Sequence, residues 1–312
     1  MTEFVKISVV TPIFNEEKNI EAVYMAVRDS LTSIKDIDYE HIFIDNASQD
    51  QSVRILRALC QTDSRVKAIL NLRNFGHMNS PFYAFTQANG DAVITFIGDL
   101  QDPPELIPQF IQEWRRGHKV VVGVYRPIKR LGIINWLRSI YYRILSRIGD
   151  TEHIPNFTGY GLYDKSFVEI LRNLDEPAPY FRGLVSDYAD NIKRIEYKKR
   201  PRGGGLAKNN FYSLYDTAML GFVNHSKFPI RIAGLVGVLS GILSALIGLG
   251  YFIYKLLFWE SFQVGVAPLV IGVFFLLGIN LFFLGMLGEY ILTISERIKR
   301  RPLVVEKERI NF

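Results

Sequence analysis

The sequence predicts an α/β protein: a mainly parallel sheet domain, amphipathic juxtamembrane helices and two transmembrane helices. Two observations predict the sheet domain. Short apolar runs rich in β-branched residues alternate with segments of helical periodicity, and polar residues directly follow the apolar runs. A third observation predicts the membrane region, because Ile232–Tyr254 and Ser261–Gly288 each contain no charged residue and are long enough to cross a bilayer.

The first part of the chain contains five predicted strands separated by helices. They are Val5–Thr11, His41–Ile44, Val66–Leu70, Ala92–Phe96 and Lys119–Val124. The intervening helices are predicted around Ile20–Ile34, Val53–Leu59, Ser80–Asn89 and Leu106–Arg116. Strands that alternate with helices of this length require right-handed crossovers, so they predict a mainly parallel sheet.

Beyond Val124 the pattern is less regular. In Ile133–Ile148 the apolar residues share one helical face and several arginines lie off it, which suits either a helix lying on a membrane or one packed on its own domain. Asp164–Asn173 is predicted as a helix, Ile192–Lys198 as a strand and Phe211–Phe222 as an amphipathic helix. We therefore expect a cytosolic domain over 1–210, a juxtamembrane helix over 211–229, and a two-helix transmembrane region with a cytosolic basic tail over 230–312.

The distribution of charge predicts the orientation in the membrane. Lys227 and Arg231 precede the first apolar stretch, and a cluster from Arg297 to Arg301 follows the second, so both ends should face the cytosol. No signal peptide is recognised at the N-terminus. The expected location is the inner (plasma) membrane, multi-pass, with the catalytic domain cytosolic. The glycine-rich apolar stretches predict close helix packing and a homo-oligomer.

Composition excludes several functional classes. The 312-residue chain has a net charge of +6, which suits an anionic membrane or nucleic acid. The cations lie on the membrane side and form no continuous aromatic-basic groove, so nucleic acid is not an expected partner. The single cysteine, Cys60, excludes an intrachain disulfide and a thiol-based metal site. No Gly-x-Gly-x-x-Gly or Gly-Lys-Ser/Thr loop is present, which argues against a dinucleotide or P-loop nucleotide.

Polar residues follow four of the strands, in Pro12–Glu16, Asp45–Ser48, Arg73–His77 and Asp99–Gln101. Parallel strands bring these segments to one edge of the sheet, which predicts a nucleotide-sized crevice. Oxygen ligands such as Asp99 suit Mg²⁺ or Mn²⁺ holding a diphosphate, although a solvated turn shaped by Asp and Pro is an alternative. Asp102 is expected to open the following helix. The glycine-rich segment from Arg200 to Lys208 suits either an anion-binding loop or a flexible linker.

The order and spacing of seven motifs resemble the polyprenyl-phosphate glycosyltransferases, relatives of dolichyl-phosphate mannose synthase in glycosyltransferase family 2. The motifs are Val9–Glu17, Asp45–Asp50, Arg73–His77, Asp99–Glu105, Arg182–Leu184, Gly205–Lys208 and Gly285–Tyr290. The resemblance implies a GT-A (Rossmann-like) fold. It also implies inverting transfer of a single sugar from a nucleotide sugar, with UDP-glucose or UDP-N-acetylglucosamine favoured, to polyprenyl (undecaprenyl) phosphate at the cytosolic membrane face.

The resemblance and the chemistry together assign candidate residues. Asp99 and Gln101 are the candidate ligands of Mg²⁺ or Mn²⁺, which would stabilise the departing diphosphate. The acceptor is already an anion and needs cationic positioning. The candidate catalytic residues are Asp99, Gln101, Arg126, Arg202 and Lys208. The candidate donor-binding residues are Pro12, Asn15, Glu16, Asp45 and Arg73.

Three departures from the family pattern leave an alternative function open. Ile97 stands where the family commonly has the first Asp of Asp-x-Asp, Asn46-Ala47 stands in place of Asp-Gly, and Thr158-Gly159-Tyr160 replaces Gly-Asp-Phe. A subfamily that handles a different sugar is favoured, and the alternative is a catalytically weakened membrane scaffold that retains the nucleotide-sugar fold. A processive polysaccharide synthase is disfavoured, because the Gln-x-x-Arg-Trp pattern is absent.

Overall fold

The computed structural model describes residues 4–126, 154–174, 176, 179–200, 266–298 and 301–312, with scattered positions between 239 and 258. The strands are β1 (Val5–Ile13), β2 (Ile37–Asp45), β3 (Val66–Asn71), β4 (Ala92–Thr95), β5 (Val120–Tyr125), β6 (Phe157–Asp164), β7 (Lys193–Tyr197) and β8 (Glu306–Ile310). The helices are α1 (Ile20–Thr32), α2 (Ser52–Thr62), α3 (Gly76–Gln87), α4 (Leu106–Arg115), α5 (Lys165–Asn173), α6 (Phe181–Tyr188) and α7 (Val266–Ile298).

All eight strands form one mixed sheet in the order β7-β5-β6-β4-β1-β2-β3-β8. The centre of the sheet, β4-β1-β2-β3, is parallel throughout. The carboxyl ends of these four strands therefore share one edge, as the sequence predicted. The outer part of the sheet is mixed, since β6 runs antiparallel to both β4 and β5, whereas β5 and β7 are parallel.

The helices cover both faces of the sheet. Apolar residues of α1, α2 and α4 pack with one face, and those of α3, α5 and α6 pack with the other. On α1, for example, Ile20, Val23, Val27 and Leu31 are buried at helical spacing. Burial of one such side chain stabilises the fold by roughly 1.5–3 kcal/mol. The predicted α/β architecture is confirmed for this part of the chain.

Strand β6 was not predicted from the sequence. Its segment contains Gly159 and Gly161, and glycine is a poor strand former. The structure explains Gly161, because a Cβ atom built there would lie 2.5 Å from the Val121 carbonyl oxygen on β5. The backbones of β5 and β6 can come this close only if residue 161 is glycine. Glycine has no apolar side chain, so the sequence does not mark the segment as a strand.

The C-terminal tail also differs from its prediction. The sequence placed 230–312 in a transmembrane region with a basic tail, yet β8 at the end of this region pairs antiparallel with β3. The segment Glu-Lys-Glu-Arg-Ile alternates half-buried and exposed positions, which is an edge-strand pattern carried largely by charged residues. The tail is therefore part of the sheet.

The remaining C-terminal residues include α7, a helix of 33 residues. Among the helices that the structure describes, none combines the length and the apolar character needed to cross a membrane. The two predicted transmembrane helices are therefore not supported, and most of the first one, Ile232–Tyr254, lies outside the described residues. The predicted helices within Ile133–Ile148 and Phe211–Phe222 also lie outside them, so both stay predictions.

Candidate active site

A cleft of about 700 Å³ opens at the carboxyl ends of β1 and β4. It is lined by the end of β1 and the segment after it, including Pro12 and Glu16, and by the turn after β4, including Asp99. The first residues of α3 and α6, including His77 and Arg182, also line it. The predicted crevice is therefore present, and it brings Pro12, Glu16 and Asp99 together.

The turn that carries Asp99 is set by close packing on β1. The Phe96 amide donates to the Val10 carbonyl over 2.9 Å. A Cβ atom at Gly98 would lie 2.8 Å from Ile13 Cδ1 and 3.1 Å from the Pro12 carbonyl oxygen, so a side chain would force the turn away from β1. The Gln101 amide donates to Asp99 Oδ1 over 3.1 Å, and Leu100 between them has a φ of 56°. Asp99 is thus held half-buried against the end of β1.

Gln101 contributes to this turn through its backbone. Its amide bonds Asp99, and its carbonyl accepts the Arg200 amide over 2.9 Å. Gln101 does not line the cleft with Asp99. Asp102 is fully buried, and α4 begins only at Leu106, so Asp102 does not cap that helix as predicted.

Asn15 and Asp45 brace the loops behind the cleft. The Asn15 amide donates to Ser48 Oγ over 2.8 Å, and Asn15 Oδ1 accepts the Gln49 amide over 2.8 Å. Asn15 has a φ of 51°, a left-handed conformation that Asn tolerates. Asp45 Oδ2 accepts the Ser48 amide over 3.0 Å. Burial raises the pKa of Asp45, and hydrogen bonds from Ser48 and Ala47 oppose the rise.

The two described cationic candidates, Arg73 and Arg126, lie outside the cleft lining. The Arg73 guanidinium stacks over the Phe75 ring at 4.3 Å from its centroid. Arg126 follows β5, its side chain is 67% exposed, and its Nε lies 2.8 Å from Glu196 Oε2. Arg202 and Lys208 lie outside the described residues.

Several cleft residues were not among the sequence candidates. Asn46 and Asn74 join the loops after β2 and β3, and both line the cleft. Arg182 was noted only as part of a family motif. Burial, with the charge of Arg182 as a second cause, lowers the pKa of His77. His77 and Arg182 therefore line the same cleft as Asp99.

Whether these residues suit a divalent metal ion depends on Asp99. Within the described part of the chain, no three His, Cys, Asp or Glu side chains cluster as a metal site. A single carboxylate suits Mg²⁺ or Mn²⁺ that takes its other ligands from substrate phosphates and water. The structure thus fits an ion that arrives with a diphosphate, and Asp99 is the residue that would hold it.

Comparisons with known proteins agree with this arrangement. The family model described as Glycosyl transferase family 2 matches residues 8–171. An uncharacterized glycosyltransferase of Bacillus subtilis, YkcC, is 34% identical over 98% of this chain and 94% of its own length. A prophage-derived bactoprenol glucosyl transferase of Shigella flexneri is 31% identical over 97% of this chain and 98% of its own. A prophage bactoprenol glucosyl transferase homolog of Escherichia coli is 29% identical over 97% and 98%.

The parallel strands, the cleft at their carboxyl ends and the match over more than half of the chain lead to one assignment. The chain belongs to glycosyl transferase family 2 and is a glycosyltransferase.

Proposed function

We propose that the protein transfers a single sugar, with inversion, from a nucleotide sugar to polyprenyl phosphate, with undecaprenyl phosphate as the acceptor. UDP-glucose or UDP-N-acetylglucosamine is the favoured donor. The observation that best supports the proposal is that Asp99, Pro12 and Glu16 line one cleft. The names of two relatives, both bactoprenol glucosyl transferases or homologs, support a lipid phosphate acceptor and a glucosyl donor.

On the donor side, the nucleoside would bind along the wall formed by Pro12 and Glu16, braced from behind by Asn15 and Asp45. The diphosphate would lie next to Asp99. Mg²⁺ or Mn²⁺, when bound there, supplies positive charge that stabilises the departing diphosphate. Arg182, which lines the same cleft, places a further positive charge there. Asp99 would hold the ion and so orient the leaving group toward the sugar.

On the acceptor side, an oxygen of the lipid phosphate attacks the anomeric carbon. A new carbon–oxygen bond forms while the bond from that carbon to the β-phosphate oxygen breaks, and the nucleoside diphosphate leaves with the electron pair. The attacking oxygen is already anionic, so no strong general base is required. Arg126, Arg202 and Lys208 are proposed to position this phosphate. The exposed ion pair of Arg126 with Glu196 is weak enough to exchange for a phosphate.

We also propose that the protein works at the cytosolic face of the plasma membrane, as a homo-oligomer. Helix α7 exposes large apolar side chains, for example Leu269 at 63%, Leu281 at 66% and Leu284 at 65%. Soluble proteins rarely expose contiguous apolar surfaces of this kind. Contact with lipid would cover this surface and bring the enzyme to an acceptor that resides in the bilayer.

The test is a transfer assay with the purified full-length protein. Undecaprenyl phosphate, Mg²⁺ or Mn²⁺ and a panel of nucleotide sugars are incubated with the enzyme, and lipid products are identified by mass. We expect one hexosyl or N-acetylhexosaminyl unit per lipid. Asp99→Asn should abolish transfer, whereas Asp91→Asn, an exposed aspartate outside the cleft, should not. Transfer that persists in Asp99→Asn would refute the role of this carboxylate.

The alternative is a catalytically weakened scaffold that retains the nucleotide-sugar fold. Ile97 favours it, because an apolar residue lines the cleft where the family commonly has an aspartate. Calorimetry with UDP, UDP-sugars and Mn²⁺ separates the two. A protein that binds none of them would support the scaffold, and binding coupled to lipid product supports the enzyme.

A further inference from the structure

A buried carboxyl group lies directly behind the Asp99 turn. Asp102 is 0% exposed, and its Oδ2 has no hydrogen-bond partner among the described residues. Its other oxygen, Oδ1, accepts a hydrogen bond from the Tyr197 hydroxyl at the end of β7. Burial raises the pKa of Asp102, and the Tyr197 bond and the Lys199 charge oppose the rise. Burying the Asp102 carboxyl group costs free energy of desolvation, and an apolar residue would avoid this cost. Packing alone therefore does not explain why an aspartate stands here.

The contact joins the Asp99 turn to the end of β7. Next to it, the Arg200 amide donates to the Gln101 carbonyl over 2.9 Å. The Arg200 guanidinium lies 2.8 Å from Glu105, at the start of α4. Three contacts from Tyr197 and Arg200 thus reach the segment between Asp99 and α4. Of the two side-chain contacts, the Asp102–Tyr197 bond is buried and the Arg200–Glu105 ion pair is exposed.

Tyr197 also bonds the backbone of Arg126, the candidate acceptor-binding cation. Its carbonyl accepts the Arg126 amide over 2.9 Å. One residue therefore contacts the donor-side turn through its hydroxyl and the acceptor-side Arg126 through its backbone. The Tyr197 ring is held in turn by an edge contact with Tyr160, whose hydroxyl donates to the Pro103 carbonyl over 2.8 Å.

We propose that Asp102 is a positioning residue, which acts through Tyr197 to set the Asp99 turn relative to Arg126. The role rests on the proposed function, since it concerns the distance between a donor diphosphate and an acceptor phosphate. Transfer requires the two phosphates in one geometry, and a small displacement of either reduces the rate steeply. The buried hydrogen bond resists such displacement, because neither partner can exchange it for water.

The test is a double-mutant cycle of Asp102→Ala and Tyr197→Phe in the full-length protein. Each single variant should lower kcat/KM for undecaprenyl phosphate about 10- to 100-fold, as for other residues that orient a ligand from behind. The double variant should be no slower than the slower single variant, because both remove the same bond. Asp102→Asn keeps an oxygen that can accept the Tyr197 hydrogen bond and should regain part of the activity.

One measurement and one control variant separate positioning from loss of folding. The dissociation constant for UDP with Mn²⁺, measured by calorimetry, should stay within about twofold of the wild-type value in every variant. The Phe96 amide bond and the close packing of Gly98 still hold the Asp99 turn against β1, so only its position relative to Arg126 should change. Tyr24→Phe is the matched control. It removes another tyrosine–aspartate hydrogen bond, 3.0 Å from Tyr24 to Asp63, far from the cleft, and should leave kcat/KM unchanged.

Additive losses in the double variant, or a parallel loss of UDP affinity, would overturn the positioning role while leaving the proposed function intact. Absence of lipid product from the wild-type protein would overturn the proposed function, and the positioning role with it. The same assay thus distinguishes the two failures.

Discussion

The Asn46 side-chain amide donates to Asn74 Oδ1 over 2.9 Å, which ties the loop after β2 to the loop after β3 at the rim of the cleft. The same amide donates to the Gly76 carbonyl over 3.1 Å, and Asn46 Oδ1 accepts the Phe75 amide over 2.9 Å. Asn46 therefore uses both its donors and its acceptor to hold the start of α3. This arrangement explains why an amide stands where the family often has a second aspartate.

Asn46→Asp should destabilise the protein, although it introduces the residue typical of the family. An aspartate has no donor for Asn74 Oδ1 or the Gly76 carbonyl, so unpaired acceptors would lie next to each other in a part-buried position, at a cost of about 1 kcal/mol. The thermal unfolding temperature should fall accordingly. The KM for the nucleotide sugar should rise, because the start of α3 is held less firmly. Asn191→Asp makes the same chemical change at an exposed turn and should have little effect. Equal stability of the two variants would contradict the bracing role.

Ile97→Asp should strengthen metal binding. Ile97 lines the cleft two residues before Asp99, and a second carboxylate would add an oxygen ligand and a negative charge. We expect Mn²⁺ in the presence of UDP to bind about tenfold more tightly, which corresponds to roughly 1.4 kcal/mol. Calorimetric titration of Mn²⁺ measures this directly. Ile97→Asn adds polarity without charge and is the control. An unchanged Mn²⁺ affinity in Ile97→Asp would place the ion away from Asp99.

Asn311→Ala should weaken attachment of β8. The Asn311 amide donates to the carbonyls of Cys60, over 2.7 Å, and Val66, over 2.9 Å, and its φ of 62° is unfavourable for alanine. Loss of these bonds and the added strain should reduce the free energy of unfolding by about 1–3 kcal/mol. Glu308→Gln removes only the exposed ion pair with Arg57 and should change it by less than about 1 kcal/mol. Chemical denaturation of both variants checks this, and similar losses in the two would show that Asn311 does not anchor the strand.

The parallel centre of the sheet could be predicted because its strands are apolar on both faces. Runs such as His41–Ile44 and Val66–Leu70 are strong signals, and β2 and β3 contain them. Strands β6 and β8 were not predicted, because they lack this apolar pattern. Glycine in β6 allows backbone approach, and charge in β8 suits a sheet edge, so neither segment carries the apolar pattern that predicts a strand.

The candidate site was predictable only in part. The position of Asp99 at the end of a parallel strand follows from topology alone, and the structure places it in the cleft. Asn46, Arg182 and Asp102 could not be assigned, because their roles depend on which loops meet in space. A sequence shows that Asp102 is an acid near two prolines. Only the packing of β7 against that turn shows that its carboxyl is buried beneath Tyr197.

Glu40 lies on β2, is 2% exposed, and is the buried centre of an ionic cluster with two lysines. Its Oε2 lies 2.9 Å from Lys6 Nζ and 2.8 Å from Lys67 Nζ, and its Oε1 accepts the Ser8 hydroxyl over 2.6 Å. Burial raises the pKa of Glu40, but the hydrogen bonds from Lys67, Ser8 and Lys6 outweigh burial and lower it to about 2. The carboxylate is thus strongly favoured in the folded protein.

A carboxyl whose pKa is lower in the folded state than in the unfolded state stabilises the fold above its unfolded pKa. That stabilisation is lost as the pH falls through the folded pKa. For Glu40 this loss takes place over the pH range from 4.5 down to about 2. Above that range the carboxylate stabilises the folded protein by about 3 kcal/mol. Glu40→Gln should therefore be less stable than the wild type by about this amount at pH 7, because it leaves two lysines without their buried partner.

The difference in stability should shrink as the pH approaches 2. Burial lowers the pKa of His41 to about 3, so both proteins also lose stability in acid, and the difference between them isolates Glu40. Glu169→Gln removes an exposed carboxylate on α5 and is the control, with an expected change within about 0.5 kcal/mol. Urea denaturation of the three proteins at pH 7, 5, 4 and 3 makes the comparison. A difference between wild type and Glu40→Gln that stays constant across this range would show that the cluster does not depend on the Glu40 charge.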